Sequence, residues 1–181
     1  MIRIAITGPE CCGKTTLSNW LGKQIFDARV IHEYAREYLE GKGIGYQYTR
    51  EDLLAIARKS AALLSKAFKA NTDALIVDTD FYVIDIWWRE LYGEENEEIR
   101  MLKETFDFDL YILCEPDIPW EEDPLRENPN DRDRLFEIYR NELEEDGRTV
   151  EVVRGSGDDR MKNVLQRLLR RFPNLMMEEE G

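Results

Sequence analysis

This sequence of 181 residues has too few basic residues to balance its acidic ones, and the imbalance argues against one class of partner. Lysine and arginine number 25 against 38 aspartates and glutamates, which gives a formal net charge of −13. A field of this sign repels a phosphate backbone, so we do not expect nucleic acid as a partner. A neutral or cationic small molecule fits the charge better, although charge of this kind also simply favours solubility.

Histidine and cysteine are also scarce. The chain has one histidine and three cysteines, two of which, Cys11 and Cys12, are adjacent. Together with His32 they fall short of the four spaced ligands of a structural zinc site, and three cysteines make a poor disulfide framework. A redox role for the pair stays open, because Cys12 next to Lys14 and a helix N-terminus is predicted to have a lowered pKa.

Long hydrophobic runs are absent. No apolar stretch approaches the ~18 residues that cross a bilayer. The first residues, MIRIAITG, have the pattern of a strand and lack the basic region and cleavage site of a signal peptide. We therefore expect a cytoplasmic protein without membrane association, while the oligomeric state is not specified by the sequence.

Strand-like and helix-like apolar patterns alternate along the chain. The strand-like runs cover residues 2–7, 29–32, 74–77, 110–114 and 149–153. Helical patterns cover residues 16–25, 49–70 and 81–91, an acidic segment after them, and two late stretches around Leu135 and Val164. Thr49 and Asp52 have the spacing of a capping box at the start of the second of these helices. This alternation predicts an α/β fold, a three-layer sandwich with a five-stranded, mainly parallel sheet. We expect one domain over residues 1–172 and a C-terminal tail at 173–181 that frays from residue 176.

The run GPECCGKT at residues 8–15 matches the phosphate-binding pattern GxxxxGK[ST] and lies between a predicted strand and a predicted helix. Its glycines let backbone N–H groups face phosphate oxygens, and the helix N-terminus adds a positive dipole. Lys14 is expected to reach the β- and γ-phosphates of a bound nucleotide, and the Thr15 hydroxyl to bind Mg²⁺. The predicted ATP-binding residues are Gly8, Glu10, Cys11, Cys12, Gly13, Lys14, Thr15, Thr16 and Arg126.

Other segments separate the classes of P-loop protein. The Asn-Lys-x-Asp and Asp-x-x-Gly signatures of GTPases do not occur. A motor or AAA-type ATPase usually closes its third strand with adjacent acids, whereas here the strand ends in ALIVDTD, so that Asp78 and Asp80 are separated. Asp78 is predicted to hold Mg²⁺ through water, and Asp80 to point into the crevice beyond the strand. Helix capping is the alternative role for each acid.

Residues 115–134, which we call the lid segment, contain four of the six prolines together with Arg126, Arg132 and Arg134. Small-molecule kinases close such a segment over the nucleotide, where arginines neutralise the transferring phosphoryl group and water is excluded. The lid segment therefore favours a kinase, with Arg126 and Arg132 as catalytic residues. The alternative for each arginine is a surface ion pair, and it is strongest for Arg134.

The end of the second predicted strand faces the same crevice. A carboxylate there can take the proton of an attacking hydroxyl, which makes Glu33 the candidate general base and Asp80 the alternative. Aromatic side chains follow Asp80, and because Trp87 and Trp88 are consecutive they point in different directions, so one of them can line the pocket while the others belong to the core. An aromatic face with carboxylates suits a flat cationic ring.

The segments GPECCGKTTL, HEYAREYL, TREDLLAIA, DTDFYVIDIW and, most specifically, PDIPWEEDPLRENPNDR resemble the ribosylnicotinamide (nicotinamide riboside) kinases over nearly the whole chain. In bacteria this kinase is often the C-terminal half of a bifunctional NAD-biosynthesis protein. The resemblance implies a P-loop kinase fold, the use of ATP and Mg²⁺, and phosphorylation of the riboside 5′-hydroxyl to give nicotinamide mononucleotide.

The resemblance also implies residue roles. ATP is expected at residues 8–16, with Lys14 catalytic and Arg126 and Arg132 closing the lid. The implied substrate-binding residues are Glu33, Arg36, Asp80 and either Trp87 or Trp88. Tyr82, one of the aromatics after Asp80, is a further substrate-binding candidate. Thr15 and Asp78 are the predicted metal-binding residues. Two alternative functions stay open, a kinase of another nucleoside or small metabolite and a nucleotide-binding regulatory ATPase, because one fold serves many activities.

Overall fold

The structure is a computed structural model that describes residues 1–43, 45–126 and 129–178, in which five strands alternate with seven helices. The strands are β1 (Ile2–Thr7), β2 (Ala28–Ile31), β3 (Ala74–Asp78), β4 (Leu110–Cys114) and β5 (Val150–Val153). The helices are α1 (Lys14–Gln24), α2 (Tyr34–Glu40), α3 (Arg50–Ala67), α4 (Phe81–Tyr92), α5 (Glu97–Thr105), α6 (Arg132–Glu145) and α7 (Gly157–Arg171).

The five strands form one sheet in the order β2-β3-β1-β4-β5, and every neighbouring pair is parallel. The predicted α/β sandwich is thereby confirmed, with a sheet that is wholly rather than mainly parallel. The register places Ile6 of β1 opposite Asp78 of β3, and Thr7 of β1 opposite Leu113 of β4. The carboxyl ends of the three central strands therefore meet at one edge, where ligands of open α/β sheets bind.

Two apolar cores cover the two faces of the sheet. Along β1, Ile4 and Ile6 pack with Leu17 of α1 and Val164 of α7 on one face. Ala5, which points to the other face, packs into the larger core formed with α2 to α6. Because both faces are covered, β3 and β4 are buried along their whole length, which explains their continuous apolar runs.

Some helix boundaries differ from the sequence prediction. Helix α1 begins at Lys14 rather than at residue 16, because Gly13 in the left-handed conformation (φ 79°) leads the chain directly into the helix. Helix α2 was not predicted, since its seven residues follow β2 closely and only Ala35 and Leu39 mark its buried face. No helix in the described ranges is both long enough and apolar enough to traverse a bilayer.

The prediction that the tail frays from residue 176 is wrong as far as residue 178. The Phe26 N–H donates to the Met176 carbonyl at 3.0 Å, and the Glu178 N–H donates to the Gln24 carbonyl at 2.9 Å. Leu175 is buried in the core beside α1 and α7. The apolar residues before the acidic end therefore hold this segment against the end of α1, whereas residues 179–181 of the predicted tail lie outside the described residues.

The predicted capping box at the start of α3 is confirmed. The Asp52 N–H donates to Thr49 Oγ1 at 3.4 Å, and the Thr49 N–H donates to Asp52 Oδ2 at 2.8 Å. The Asp52 carboxylate also accepts hydrogen bonds from the hydroxyl groups of Tyr38 at 2.7 Å and Tyr46 at 2.9 Å. One buried carboxylate thus ties α3 to α2 and to the loop that follows α2.

We expect Asp52→Ala to destabilise the protein more than Thr49→Ala. The alanine at 49 removes one cap and should cost about 1 kcal/mol. The alanine at 52 removes the acceptor of several donors and should cost about 3 kcal/mol. Urea denaturation measures both values, and equal losses would show that Asp52 acts only as part of the cap.

Candidate active site

A cavity of about 210 Å³ lies at the end of β1 and is bounded by the phosphate loop (residues 8–16), α2, α4 and the lid segment. We call it the main cavity. Its lining consists of residues 8–16 and of Glu33, Ala35, Arg36, Leu39, Val83, Ile86, Trp87, Glu90, Leu125, Arg126, Leu135 and Tyr139. It therefore brings together the phosphate loop and four further predicted site residues: Glu33, Arg36, Trp87 and Arg126. Five predicted residues are not part of this lining: Asp78, Asp80, Tyr82, Trp88 and Arg132.

The conformation of the phosphate loop leaves donors at the start of α1. Gly8 has a φ of 129°, and a Cβ at this position would lie 2.8 Å from the Cys114 carbonyl oxygen of β4. Gly13 is the N-cap of α1, no side chain caps this end, and the first turn holds no acidic residue. The first-turn N–H groups have no acceptor within the helix, so together with the positive end of the helix dipole they can bind a phosphate.

Lys14 folds over this loop. Its Nζ donates to the carbonyl oxygens of Gly8 at 2.9 Å and Pro9 at 2.7 Å. Burial alone would lower the pKa of Lys14, but the neighbouring Cys12 and other acidic groups raise it above the usual value. Burial likewise opposes ionisation of Cys12, yet the Cys114 thiol and the charge of Lys14 lower the pKa of Cys12 to about 6, the direction that the sequence predicts.

Arg160, which the sequence analysis missed, supports the loop from behind. This α7 side chain is only 3% exposed, and its Nη2 donates to the Cys12 carbonyl at 2.7 Å. Its Nη1 donates to Asp117 at 3.0 Å and to the Gly155 carbonyl at 2.8 Å. The signal was its spacing, since Arg160 lies four residues before Val164 on the buried face of α7. A buried arginine thus joins the loop, the lid segment and the turn after β5.

Glu33 and Asp80 occupy different environments. Glu33 is the N-cap of α2 and lines the main cavity; burial raises its pKa, and the charge of Lys14 only partly opposes this shift. Asp80 is 3% exposed and accepts a hydrogen bond from the Thr7 hydroxyl at 2.9 Å. Burial raises the pKa of Asp80 to about 6 despite this hydrogen bond. The prediction that Asp80 points into the crevice is corrected, because Asp80 is buried outside the cavity lining and its carboxylate contacts Thr7 at the end of β1.

Asp78 is the described residue that best fits a role near a metal ion. It ends β3, is 1% exposed, and neither of its carboxylate oxygens has a hydrogen-bond partner. Within the described residues no cluster of three or more metal-binding side chains occurs. Mg²⁺ commonly takes one or two protein oxygens and completes its shell with water and substrate phosphates, so Asp78 and Thr15 fit such an ion only together with a nucleotide.

The two tryptophans of α4, Trp87 and Trp88, lie in different environments. Trp87 lines the main cavity, and its Nε1–H donates to the Tyr48 hydroxyl at 3.0 Å. Trp88 is 3% exposed and packs edge-to-face against Tyr92, with ring centroids 4.8 Å apart. Trp87 therefore faces the pocket and Trp88 belongs to the core, which answers the question that the sequence left open.

Tyr82 lies away from the main cavity, contrary to the prediction. It is 1% exposed, and its hydroxyl donates to Asp146 at 2.6 Å and accepts from Arg148 Nε at 3.0 Å. Its ring packs edge-to-face on Tyr111 of β4, with centroids 5.6 Å apart. Its position at the start of α4 directs it into the layer between sheet and helices, so it is a core residue.

Glu90 is a second residue that the sequence analysis missed. It follows Val83 and Trp87 on the cavity face of α4, at the spacing i, i+4 and i+7. Its carboxylate pairs with Arg134, whose Nε also donates to the two Asp131 oxygens at 3.0 and 2.9 Å. The surface ion pair considered for Arg134 is therefore what the structure shows, and its effect is to hold Glu90 at the cavity wall.

The two other lid arginines converge on the phosphate loop. Arg126 lines the main cavity, and its Nη1 lies 3.3 Å from the sulfur of Cys11. Arg132 is the first residue of α6 and donates from Nη1 to the carbonyls of Cys11 at 3.0 Å and Ile118 at 3.1 Å. Both guanidinium groups lie over the ring of Trp120, at 6.0 and 5.7 Å from its centroid. Residues 127 and 128 of the lid segment lie outside the described residues.

Arg36 joins α2 to the lid segment. Its Nη2 lies 3.0 Å from the Asp123 carboxylate, and its Nη1 lies 3.3 Å from Glu40. A second cavity of about 220 Å³ lies beyond this ion pair and shares Arg36, Leu39 and Leu125 with the main cavity. Arg36 therefore lies between the two cavities and lines both of them.

With this geometry in place, comparison with known protein families assigns the chain. The family described as AAA domain matches residues 3–160. The chain belongs to this family. The sequence pattern favours a kinase over an AAA-type ATPase, and the family name, AAA domain, covers a fold that both kinds of protein can have.

The chain is homologous to a protein of the NAD pathway. It is 33% identical over 162 residues to the trifunctional NAD biosynthesis/regulator protein NadR of Escherichia coli K12. The match covers 86% of this chain but 38% of NadR, so the chain spans well under half of that relative's length. This homology to NadR confirms the resemblance to an NAD-biosynthesis protein that the sequence motifs indicate.

Solved structures confirm the P-loop kinase fold. A NadR structure in complex with NAD and AMP-PNP matches with a TM-score of 0.76 at 20% identity, over 99% of this chain and 51% of its own. A NadR structure in complex with NR matches with the same TM-score at 21% identity, over 99% of this chain and 54% of its own. A deoxyadenosine kinase from M. mycoides matches with a TM-score of 0.68 at 14% identity, over 93% of this chain and 100% of its own. The chain is thus homologous to NadR and shares its fold with a P-loop kinase.

The environment of Asp80 leads to a prediction about pH. Its pKa in the folded protein, about 6, lies above its ordinary value of 3.8, so the folded state binds more protons between these values. The free energy of unfolding contributed by Asp80 therefore falls as pH rises from about 4 to about 6, by on the order of 2–3 kcal/mol. Asp80→Asn keeps an acceptor for Thr7 but cannot titrate.

We expect the variant to lose this part of the pH dependence and to be more stable than the wild type near neutral pH. Urea denaturation across this pH range, in buffer without Mg²⁺, measures the difference between the two curves. Parallel curves would show that the Asp80 carboxyl is not perturbed in the folded protein.

Proposed function

We propose that this chain transfers the γ-phosphoryl group of MgATP to the 5′-hydroxyl of nicotinamide riboside, giving nicotinamide mononucleotide. One observation carries the proposal: a single cavity is lined both by the phosphate loop and by Glu33, Trp87 and Glu90. Homology to NadR supports the choice of acceptor, as does the fold shared with a NadR complex with NR, the abbreviation of nicotinamide riboside.

The donor side is the phosphate loop. The N–H groups at the start of α1 would bind the phosphates, and Lys14 would exchange the carbonyls of Gly8 and Pro9 for phosphate oxygens. Arg126 reaches the same space from the lid segment. Positive charges from two directions stabilise the charge that builds up on the transferred group, which is the main task in phosphoryl transfer.

The acceptor side combines aromatic and acidic groups. Trp87 presents a ring that Tyr48 holds in place, both by a hydrogen bond and by edge-to-face packing with centroids 4.8 Å apart. Glu33 and Glu90 add carboxylates to the same wall. The pyridinium of nicotinamide riboside is a flat cation, so ring stacking and charge attraction both favour it over a neutral base.

Glu33 is the better candidate for the general base. It lines the main cavity with Lys14, whereas Asp80 is buried behind the wall and bonded to Thr7. A raised pKa makes a carboxylate a stronger proton acceptor, and Glu33 has such a pKa. Glu33 would take the proton of the 5′-hydroxyl as that oxygen attacks the γ-phosphorus and ADP leaves.

Mg²⁺ would neutralise charge on the β- and γ-phosphates when the nucleotide binds. The Thr15 hydroxyl at the start of α1 would coordinate it directly, and the unpartnered Asp78 carboxylate would hold its water ligands. The buried position of Asp78 keeps these oxygens in place before the nucleotide arrives.

A kinase of another nucleoside is the second candidate, because a deoxyadenosine kinase shares the fold over 93% of this chain. The regulatory ATPase has support from the AAA family description. An acceptor panel separates the three. ADP formation from MgATP should rise sharply with nicotinamide riboside, a rise only with another nucleoside would favour the second candidate, and slow turnover indifferent to every acceptor would indicate the regulator. Lys14→Ala should abolish the acceptor-dependent rise while the protein stays folded.

Glu33→Gln should lower kcat by about 10²-fold, because glutamine keeps the size of the side chain but cannot accept the proton. The wild-type kcat should rise with pH as Glu33 loses its proton, and this rise should be absent in the variant. Steady-state kinetics over a pH series measures both effects. A change confined to KM would make Glu33 a binding residue instead.

Trp87→Leu should weaken binding of nicotinamide riboside more than binding of its reduced analogue, whose ring is neutral, by about 5-fold in the ratio of the two KM values. Trp88→Leu is the matched control, since that ring lies in the core and should lower stability without changing the ratio. Equal losses for both ligands in Trp87→Leu would reduce its role to packing.

A further inference from the structure

The thiol of Cys11 lies where the phosphate loop meets the lid segment. Its sulfur accepts from the Glu121 N–H at 3.3 Å and from Arg126 Nη1 at 3.3 Å. The thiol also lies 3.5 Å from the Pro119 carbonyl, to which it can donate. One side chain of the loop therefore holds three separate points of the lid segment.

The backbone of Cys11 takes part in the same junction. Its φ of 50° is in the left-handed region, which residues other than glycine rarely adopt. Its carbonyl accepts a hydrogen bond from Arg132 Nη1 at 3.0 Å. A strained residue persists where surrounding contacts hold it, and such residues concentrate at functional sites.

These contacts fix the orientation of Arg126. Besides its contact with the Cys11 sulfur, Arg126 Nη1 donates to the Glu121 carbonyl at 2.6 Å, and the guanidinium lies over the ring of Trp120. The Arg126 side chain also lines the main cavity. The arginine that faces the phosphate-binding space is therefore oriented from the loop itself, through the thiol.

We propose that Cys11 is a positioning residue that aligns Arg126 with the transferring phosphoryl group and couples the phosphate loop to the lid segment. The proposal rests on the proposed function, because it assigns Arg126 to the phosphate. A thiol both donates and accepts; serine also does both, whereas alanine does neither.

Kinetics of four proteins test the alignment: Cys11→Ala, Cys11→Ser, Arg126→Ala and the double alanine variant. With the acceptor that the panel identifies, Cys11→Ala should lower kcat about 10-fold or more and change KM for ATP little, because misalignment acts on the transition state. Cys11→Ser should recover most of this loss. The double variant should be no slower than Arg126→Ala, since Cys11 acts through that arginine.

Hydrogen exchange of the peptide that spans residues 119–126 tests the coupling without any acceptor. Cys11→Ala should exchange faster than the wild type, because the Glu121 N–H loses its acceptor, and Cys11→Ser should retain protection. Glu122→Ala, a matched control at an exposed lid position, should exchange like the wild type.

Additive losses in the double variant would overturn the proposal, even with faster exchange, since Cys11 would then hold the lid without aligning Arg126. The proposal would also be overturned if Cys11→Ala exchanged at the wild-type rate and kept the wild-type kcat. If nicotinamide riboside is not phosphorylated at all, the proposed function fails by itself, and the exchange of Cys11→Ala still decides whether the thiol couples loop and lid.

Discussion

The close approach of Gly8 to strand β4 is the constraint on which the site depends. A Cβ at position 8 would lie 2.8 Å from the Cys114 carbonyl oxygen, so only glycine lets the loop turn at this point. The turn brings Gly13 to the start of α1 and Lys14 over the loop carbonyls. The close approach at Gly8 thus shapes the loop that presents the start of α1 and Lys14 to a phosphate.

Charge is distributed unevenly within a protein whose formal net charge is −13. Lys14 and Arg126 face the main cavity from the loop and from the lid segment, while Glu33 and Glu90 face it from α2 and α4. In the proposed reaction, the triphosphate would contact the basic side chains and the cationic acceptor would contact the acidic ones. Since buried groups interact in a low effective dielectric, these few side chains matter more to binding than the numerous exposed acids.

The fold was largely predictable because its signals are local. The strands, the phosphate loop and the capping box of Thr49 are each specified within a few consecutive residues. Features that depend on packing between distant segments were missed or placed wrongly, as with the burial of Asp80 beside Thr7. The helical spacing of Trp87 and Glu90 shows that they share one face of α4. It does not show that this face meets a cavity, because the neighbouring helices decide that. The role of Arg160 needed the folded chain, because two of its partners, Asp117 and Cys12, lie more than 40 residues away in sequence.

Arg160 links the last helix to the chemistry at the first loop. Its guanidinium reaches the Cys12 carbonyl from α7, across 148 residues of sequence. A local opening that detaches α7 breaks this hydrogen bond and so removes one support of the loop backbone. By linkage, a ligand that binds only the supported loop would also stabilise the docked position of this distant helix.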